Sequence, residues 1–124
     1  MAQKIKITAG KISAPAELNE SQTAKAILAA LPLESRARRW GEEVYFTIPV
    51  RAALAKDARE EVEVGELGYW PEGPAFCIFF GPTPASAGDQ PRAASAVNII
   101  GKVIGDAGIF GQVKSGTRLR VEKE

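Results

Sequence analysis

The sequence predicts a mainly β single domain, residues 1–124, built from short strands and one main helix. Residues 75–80 (AFCIFF) form a six-residue apolar run between Gly/Pro turns, which is too short for a typical helix. Several other segments alternate polar and apolar residues, as half-buried strands do. The 124 residues are 45% hydrophobic and 25% charged, which is typical of one globular domain. A β-barrel or sandwich is therefore the expected architecture.

The first half of the chain opens with a predicted hairpin of residues 4–8 and 11–18, and Pro15 would confine the second strand to an edge or a bulge. One amphipathic helix follows from about residue 20 to 31, with Asn19 as its N-cap, and Pro32 ends it. Residues 33–40 are ambiguous and contain the most basic patch of the sequence. Residues 44–50 alternate again and predict a strand with one apolar face.

The second half contains an exposed connection at residues 51–61, the central strand, and a long Pro-rich loop at residues 81–92. Residues 95–105 predict another strand, in which Gly101 indicates a bulge or a close backbone approach. A short helical turn is expected at 106–110 and a last strand at 117–122. Pairing of this last strand with residues 4–8 would close the sheet into a barrel and remove its edges.

Composition excludes several classes of function. The formal net charge is +1 with the basic residues dispersed, so we expect no nucleic-acid partner. No segment has the length of a membrane span or the apolar core of a signal peptide, which favours a cytoplasmic protein without a membrane partner. The absence of histidine removes the commonest general base and most zinc sites, and we expect neither a cofactor nor a metal. Cys77, the single cysteine, is interpreted as a core residue.

The candidate ligand-binding residues are aromatic side chains beside turns. Tyr69 and Trp70 are adjacent, so on an extended chain one enters the core and the other faces a surface or pocket, in an order that the pattern leaves open. Tyr45 and Phe79 complete the aromatic set, and Asn98 could supply a polar contact. The adjacent carboxylates Glu42–Glu43 are expected to be solvated, because neighbouring residues diverge on a strand.

Three segments carry a family resemblance, namely residues 40–46 (WGEEVYF), 65–84 (GELGYWPEGPAFCIFFGPTP) and 97–106 (VNIIGKVIGD). They resemble a family of small prokaryotic proteins called cyclophilin-like. The resemblance implies a closed antiparallel barrel of about eight strands with a helix covering each end. The isomerase cluster of true cyclophilins does not carry over, because the chain has no His and no Phe-Met-x-Gln motif, and its only Met is Met1.

Three functions remain open, one of which is a homo-oligomeric structural or accessory protein that pairs between chains at residues 11–18. The favoured one is a non-catalytic module that binds a peptide or small ligand in a groove on the barrel face. The alternative is a weak or divergent peptidyl-prolyl cis/trans isomerase in which Arg51 or Arg92 donates to the prolyl nitrogen. The protein is expected to be a monomer or a homodimer, with residues 11–18 as the edge available for pairing between chains.

Overall fold

The computed structural model describes residues 2–124, and within them ten strands form one antiparallel sheet. The elements are, in chain order, β1 (Gln3–Ala9), β2 (Ile12–Leu18), α1 (Gln22–Ala30), β3 (Leu33–Arg36), β4 (Arg38–Arg39), β5 (Glu43–Thr47), β6 (Arg59–Glu61), β7 (Glu66–Trp70), β8 (Ala75–Phe79), β9 (Arg92–Val103), a 3₁₀ helix (Ala107–Gln112) and β10 (Arg118–Lys123). The strand order is β3-β10-β1-β2-β9-β7-β8-β5-β4, and β6 pairs separately with β9.

The prediction of a closed barrel of about eight strands is wrong, because the sheet has ten strands and is not closed. The first and last strands do pair, through β1 and β10, but β3 adds to the outer side of β10 and continues the sheet. The sheet then ends at β3 and β4, which do not pair with each other. Only Ala37 separates these two edge strands along the chain. They are therefore joined by the polypeptide backbone, whereas a closed barrel would join them by hydrogen bonds between strands. Ala37 instead bonds the turn at Gly116 and Thr117.

The helix lies where the periodicity predicts it, but its N-terminus differs in detail. Ser21, not Asn19, is the N-cap, and its hydroxyl accepts a hydrogen bond from the Ala24 amide at 3.2 Å. Asn19 instead accepts from the Ser21 amide and donates to the Ile99 carbonyl, which ties the helix entry to β9. The buried residues Thr23, Ala24 and Ile27 pack the helix against β2 and β9.

Strand β2 is not the free edge that Pro15 suggested. It pairs with β1 along its whole length, and residues 16–18 also pair with β9. The prediction for Gly101 is confirmed on both counts. The register between β7 and β9 shifts beside it, and a Cβ at Gly101 would lie 1.9 Å from the Glu17 carbonyl oxygen.

The central strand β8 is buried along its whole length, as predicted, and it divides the interior into two clusters. Phe76 and Ile78 point into the large cluster, which also contains the apolar faces of β1, β2, β5 and β10. Ala75, Cys77 and Phe79 point the other way, into a smaller cluster with Val62, Ala93 and Val97. The division follows from the two-residue period of a strand, and it places the candidate site on the side of the smaller cluster.

Candidate functional site

A cavity of about 180 Å³ opens over the smaller cluster, and we call it the Trp70 cavity. Its lining is mostly apolar and includes three half-buried aromatic rings, one carboxyl group and one thiol. The lining residues are Trp40, Glu43, Tyr45, Trp70, Cys77, Ala93, Ala94 and Val97. An apolar cavity of about 150 Å³ is known to accommodate benzene, so this one has room for a single substituted ring.

The sheet register brings the floor of the Trp70 cavity together. Tyr45 on β5 and Gly68 on β7 both lie directly opposite Cys77 on β8, so they share one face of the sheet. Small residues leave space on that face. Ala75, for example, lies directly opposite Trp70 on the neighbouring strand. A Cβ at Gly68 would come within 2.9 Å of the Val97 side chain, so glycine leaves the space that Val97 fills.

Hydrogen bonds fix the Trp70 indole at the wall of the cavity. Its ring N–H donates to the Ser95 hydroxyl at 2.7 Å, and that hydroxyl donates to the Glu72 carboxylate at 2.6 Å. Gly73 contacts the ring from the adjoining turn, where a Cβ would approach the indole to 2.6 Å. The indole is therefore oriented before any ligand arrives, which lowers the entropy cost of binding.

A tight turn between β4 and β5 places Trp40 and Glu43 on the opposite wall. The Trp40 amide donates to the Glu43 carbonyl at 3.0 Å, and Gly41 within the turn has a φ of +60°, which favours glycine. The Arg39 guanidinium holds the turn by donating to the Gly41 carbonyl and to the Glu42 carboxylate. Glu42 thus faces outward to an arginine, while Glu43 faces the cavity.

The Glu43 carboxyl is the one charged group in the lining, and its residue is only 5% exposed. Burial raises the pKa of Glu43 to about 7, and the neighbouring Cys77 thiol partly opposes that rise. Burial and the neighbouring Glu43 charge raise the pKa of Cys77 well above its usual value, so the thiol is neutral and a poor nucleophile. The pair therefore supplies a titratable acceptor rather than an activated sulfur.

Two of the predicted aromatic residues, Tyr45 and Trp70, line the Trp70 cavity. Phe79 is fully buried in the cluster beneath it. Tyr69 points to the other side of the sheet, where its ring is fully buried in the large cluster. Of the adjacent pair, the cavity thus receives Trp70 and the core receives Tyr69.

The polar candidates lie away from the Trp70 cavity. The Asn98 side chain is buried and bonds the Ala53 carbonyl, the Ala55 amide and the Thr23 hydroxyl, which anchors the segment between β5 and β6. Arg92 pairs with Glu60 at 2.6 Å on the surface. Arg51 borders a separate open depression beside Pro49 and Pro74.

Sequence reasoning did not select Trp40, Glu43 or Cys77 for the site, and its expectation that Glu43 is solvated is wrong. The available signal was the alternation itself, because Glu43 and Tyr45 share a face of β5. The sequence predicted a pocket for Tyr45 on that face but not for Glu43, and Ala93 and Val97 of β9 line the cavity above both. Within residues 2–124, no three His, Cys, Asp or Glu side chains are close enough to hold a metal ion. No helix in the same range is long and apolar enough to span a membrane.

Comparison with known proteins agrees with this architecture. The family model described as cyclophilin-like matches residues 3–122. The chain belongs to the cyclophilin-like family. The solution structure of the hypothetical protein AF2241 from Archaeoglobus fulgidus is similar to this cyclophilin-like chain, with a TM-score of 0.83 and 37% sequence identity. The match covers 99% of this chain and 95% of the archaeal one. No curated protein is significantly similar to the cyclophilin-like sequence.

Proposed function

We propose that this protein is a non-catalytic binding module that holds a small ligand, or one side chain of a peptide, in the Trp70 cavity. The main support for the proposal is that three aromatic residues, Trp40, Tyr45 and Trp70, line a cavity of about 180 Å³. Ligand sites are typically apolar concavities with a few placed polar groups, and Glu43 is such a group.

The arrangement favours binding over a purely structural role. All three rings remain only half-buried, although the chain buries other large side chains completely. The Trp70 indole is fixed by the Ser95 hydroxyl, so the wall is rigid before a ligand enters. A ring-sized ligand would cover these faces and remove apolar surface from water, at about 25 cal/mol per Å².

The test uses benzyl alcohol, a single ring with one neutral polar group, titrated into the ¹⁵N-labelled protein by NMR. We expect saturable shifts of the amides around the Trp70 cavity. Trp70→Ala should abolish binding, and Ala94→Phe should block it by filling the opening from an exposed position. Leu54→Ala, at an exposed position outside the lining, is the matched control and should bind normally.

The absence of saturable shifts at millimolar benzyl alcohol would overturn the proposal. Unchanged binding by Ala94→Phe would do the same, and this variant retains all three rings if Trp70→Ala fails to fold. Each variant is first compared with the wild type by its urea unfolding midpoint.

A peptidyl-prolyl isomerase assay tests the non-catalytic part separately. Neither candidate arginine lines the Trp70 cavity: Arg92 pairs with Glu60, and Arg51 borders the depression beside Pro49 and Pro74. We expect a proline-containing tetrapeptide to isomerise at its uncatalysed rate in the presence of the protein. An acceleration that disappears in Arg51→Gln or Arg92→Gln would show that the protein is an isomerase and would contradict the non-catalytic proposal.

A further inference from the structure

The Glu43 carboxyl forms no ion pair within the described residues, whereas several other acidic groups each pair with an arginine. Glu42 pairs with Arg39, Glu60 with Arg92, and Glu66 with Arg59. Glu43 makes no such ion pair within the described residues, although it is the most deeply buried of these four acids. A buried carboxylate without a cation is costly, so a positive group brought to it would relieve that cost.

The groups that line the Trp70 cavity with Glu43 are neutral, and so is Phe79, which lies directly opposite Glu43 on β8. Strand β8 contributes the Cys77 thiol, and β9 contributes Ala93 and Val97. The same strand as Glu43 contributes the Tyr45 phenol, β7 contributes Trp70, and the turn contributes Trp40.

Two basic residues, Arg38 and Arg39, precede the turn that carries Glu43. The Arg39 guanidinium is occupied by Glu42 and by the carbonyls of Gly41, Gly111 and Val113. Arg38 lies opposite Tyr45 across β4 and β5, so the two side chains share one face of the sheet. The Arg38 side chain is exposed, borders a depression with Arg36, Tyr45 and Ser115, and forms no ion pair with Glu43 within residues 2–124. No lysine or arginine belongs to the lining of the Trp70 cavity in residues 2–124. None of the ion pairs within the described residues therefore places a positive charge against Glu43.

The aromatic residues favour the same kind of ligand for an independent reason. Indole and phenol rings carry negative charge on their faces and attract a cation placed within about 6 Å, and tryptophan does so best. Two tryptophans and one tyrosine line the cavity. Both the carboxylate and the rings attract a cation, and both repel an anion.

We propose that the Trp70 cavity selects organic ammonium ions, with the apolar body among the rings and the ammonium group against the Glu43 carboxylate. The inference rests on the proposed binding function and names its ligand class. A primary amine fits because it retains N–H donors for a charge-assisted hydrogen bond to the carboxylate. Carboxylate and phosphate ligands should be excluded.

Binding of such a cation is linked to the protonation of Glu43. The pKa of this carboxyl is about 7 without ligand, so at pH 6 most molecules carry a proton where the ammonium group must bind. The ligand requires the ionised form, and a bound ammonium lowers the pKa of Glu43 and releases the proton. Affinity should therefore rise about tenfold between pH 6 and pH 8, as the ionised fraction does.

The decisive comparison is between benzylammonium and benzyl alcohol, which have nearly the same size and differ in charge. At pH 8 we expect benzylammonium to bind about tenfold more tightly or better, as charge-assisted and cation–π contacts allow. Isothermal titration in two buffers of different ionisation enthalpy should also report proton release near pH 7. Glu43→Gln should lose the preference for benzylammonium over benzyl alcohol and should release no proton on binding. Glu42→Gln, which changes the adjacent exposed carboxylate, should retain both.

Each result separates the two proposals. Equal affinities for the two probes would overturn the ammonium inference and leave the binding module standing. A preference for benzylammonium that persists in Glu43→Gln would also overturn the inference, because the charge would then be recognised elsewhere. Failure of both probes to bind would refute the proposed function itself.

Discussion

The Tyr69 hydroxyl donates a 2.7 Å hydrogen bond to the carbonyl oxygen of Val50. The same hydroxyl accepts a hydrogen bond from the Ala52 amide at 3.1 Å. One buried side chain on β7 thereby fixes the backbone that leaves β5, a stretch with no strand or helix of its own between residues 48 and 58. The contact satisfies the one polar atom of the Tyr69 side chain in the core, on the face opposite to Trp70.

Replacing Tyr69 by phenylalanine should destabilise the protein by about 1–3 kcal/mol, because a buried carbonyl and an amide lose their partner. The measurement is the free energy of unfolding in urea. Tyr45→Phe is the control: its ring is half-buried and its hydroxyl makes no hydrogen bond to another described residue, so its effect should stay within about 0.5 kcal/mol. Equal effects of the two substitutions would show that the Tyr69 hydroxyl does not hold this segment.

Gly101 should tolerate no side chain at all. A Cβ there would meet the Glu17 carbonyl oxygen at 1.9 Å and the Leu18 Cα at 3.0 Å, so Gly101→Ala must push β2 away from β9. We expect a loss of about 3 kcal/mol or more in urea unfolding. Gly88→Ala is the control, since a Cβ there meets nothing within 4 Å, and it should be neutral or slightly stabilising. A wild-type stability of Gly101→Ala would refute the close approach.

Local patterns in the sequence predicted the elements whose cause is local. The run 75–80 identified β8 because turn residues bound it on both sides, and alternation identified β1 and β10, which pair as expected. Gly101 was predicted as a bulge or a close backbone approach because glycine weakens a strand and is typical of such positions.

The features that the sequence did not predict depend on contacts between distant segments. Whether the sheet closes depended on where β3 pairs. This strand has four residues, and no local pattern specifies its pairing with β10, which leaves the sheet open. The burial of Glu43 depended on β9, whose Ala93 and Val97 line the same cavity. A strand pattern does not tell which polar positions another segment will cover. The choice between Tyr69 and Trp70 required the register of β7, which the bulge beside Gly101 sets.

Ser95 is expected to position Trp70 without contacting a ligand itself. Ser95→Ala removes the acceptor of the indole N–H and frees the ring to adopt other rotamers. Affinity for benzyl alcohol should fall about threefold to tenfold, in line with the loss of one neutral hydrogen bond. Ser13→Ala, at an exposed position on β2, is the control and should bind like the wild type. Unchanged affinity in Ser95→Ala would mean that packing alone orients the indole.

The raised pKa of Glu43 predicts how the unliganded protein responds to pH. The pKa of about 7 keeps a proton on this carboxyl of the folded state up to about pH 7, whereas the unfolded chain releases it near pH 4.5. The folded state therefore binds more protons between these values, so the free energy of unfolding contributed by Glu43 is complete below pH 4.5 and falls as pH rises towards 7. The decline in the free energy of unfolding should amount to about 3 kcal/mol.

This pH dependence is measured as the difference in the free energy of urea unfolding between wild type and Glu43→Gln from pH 5 to pH 8. Glu42→Gln should follow the wild type throughout, and parallel curves for wild type and Glu43→Gln would contradict a buried, unpaired carboxyl in the Trp70 cavity.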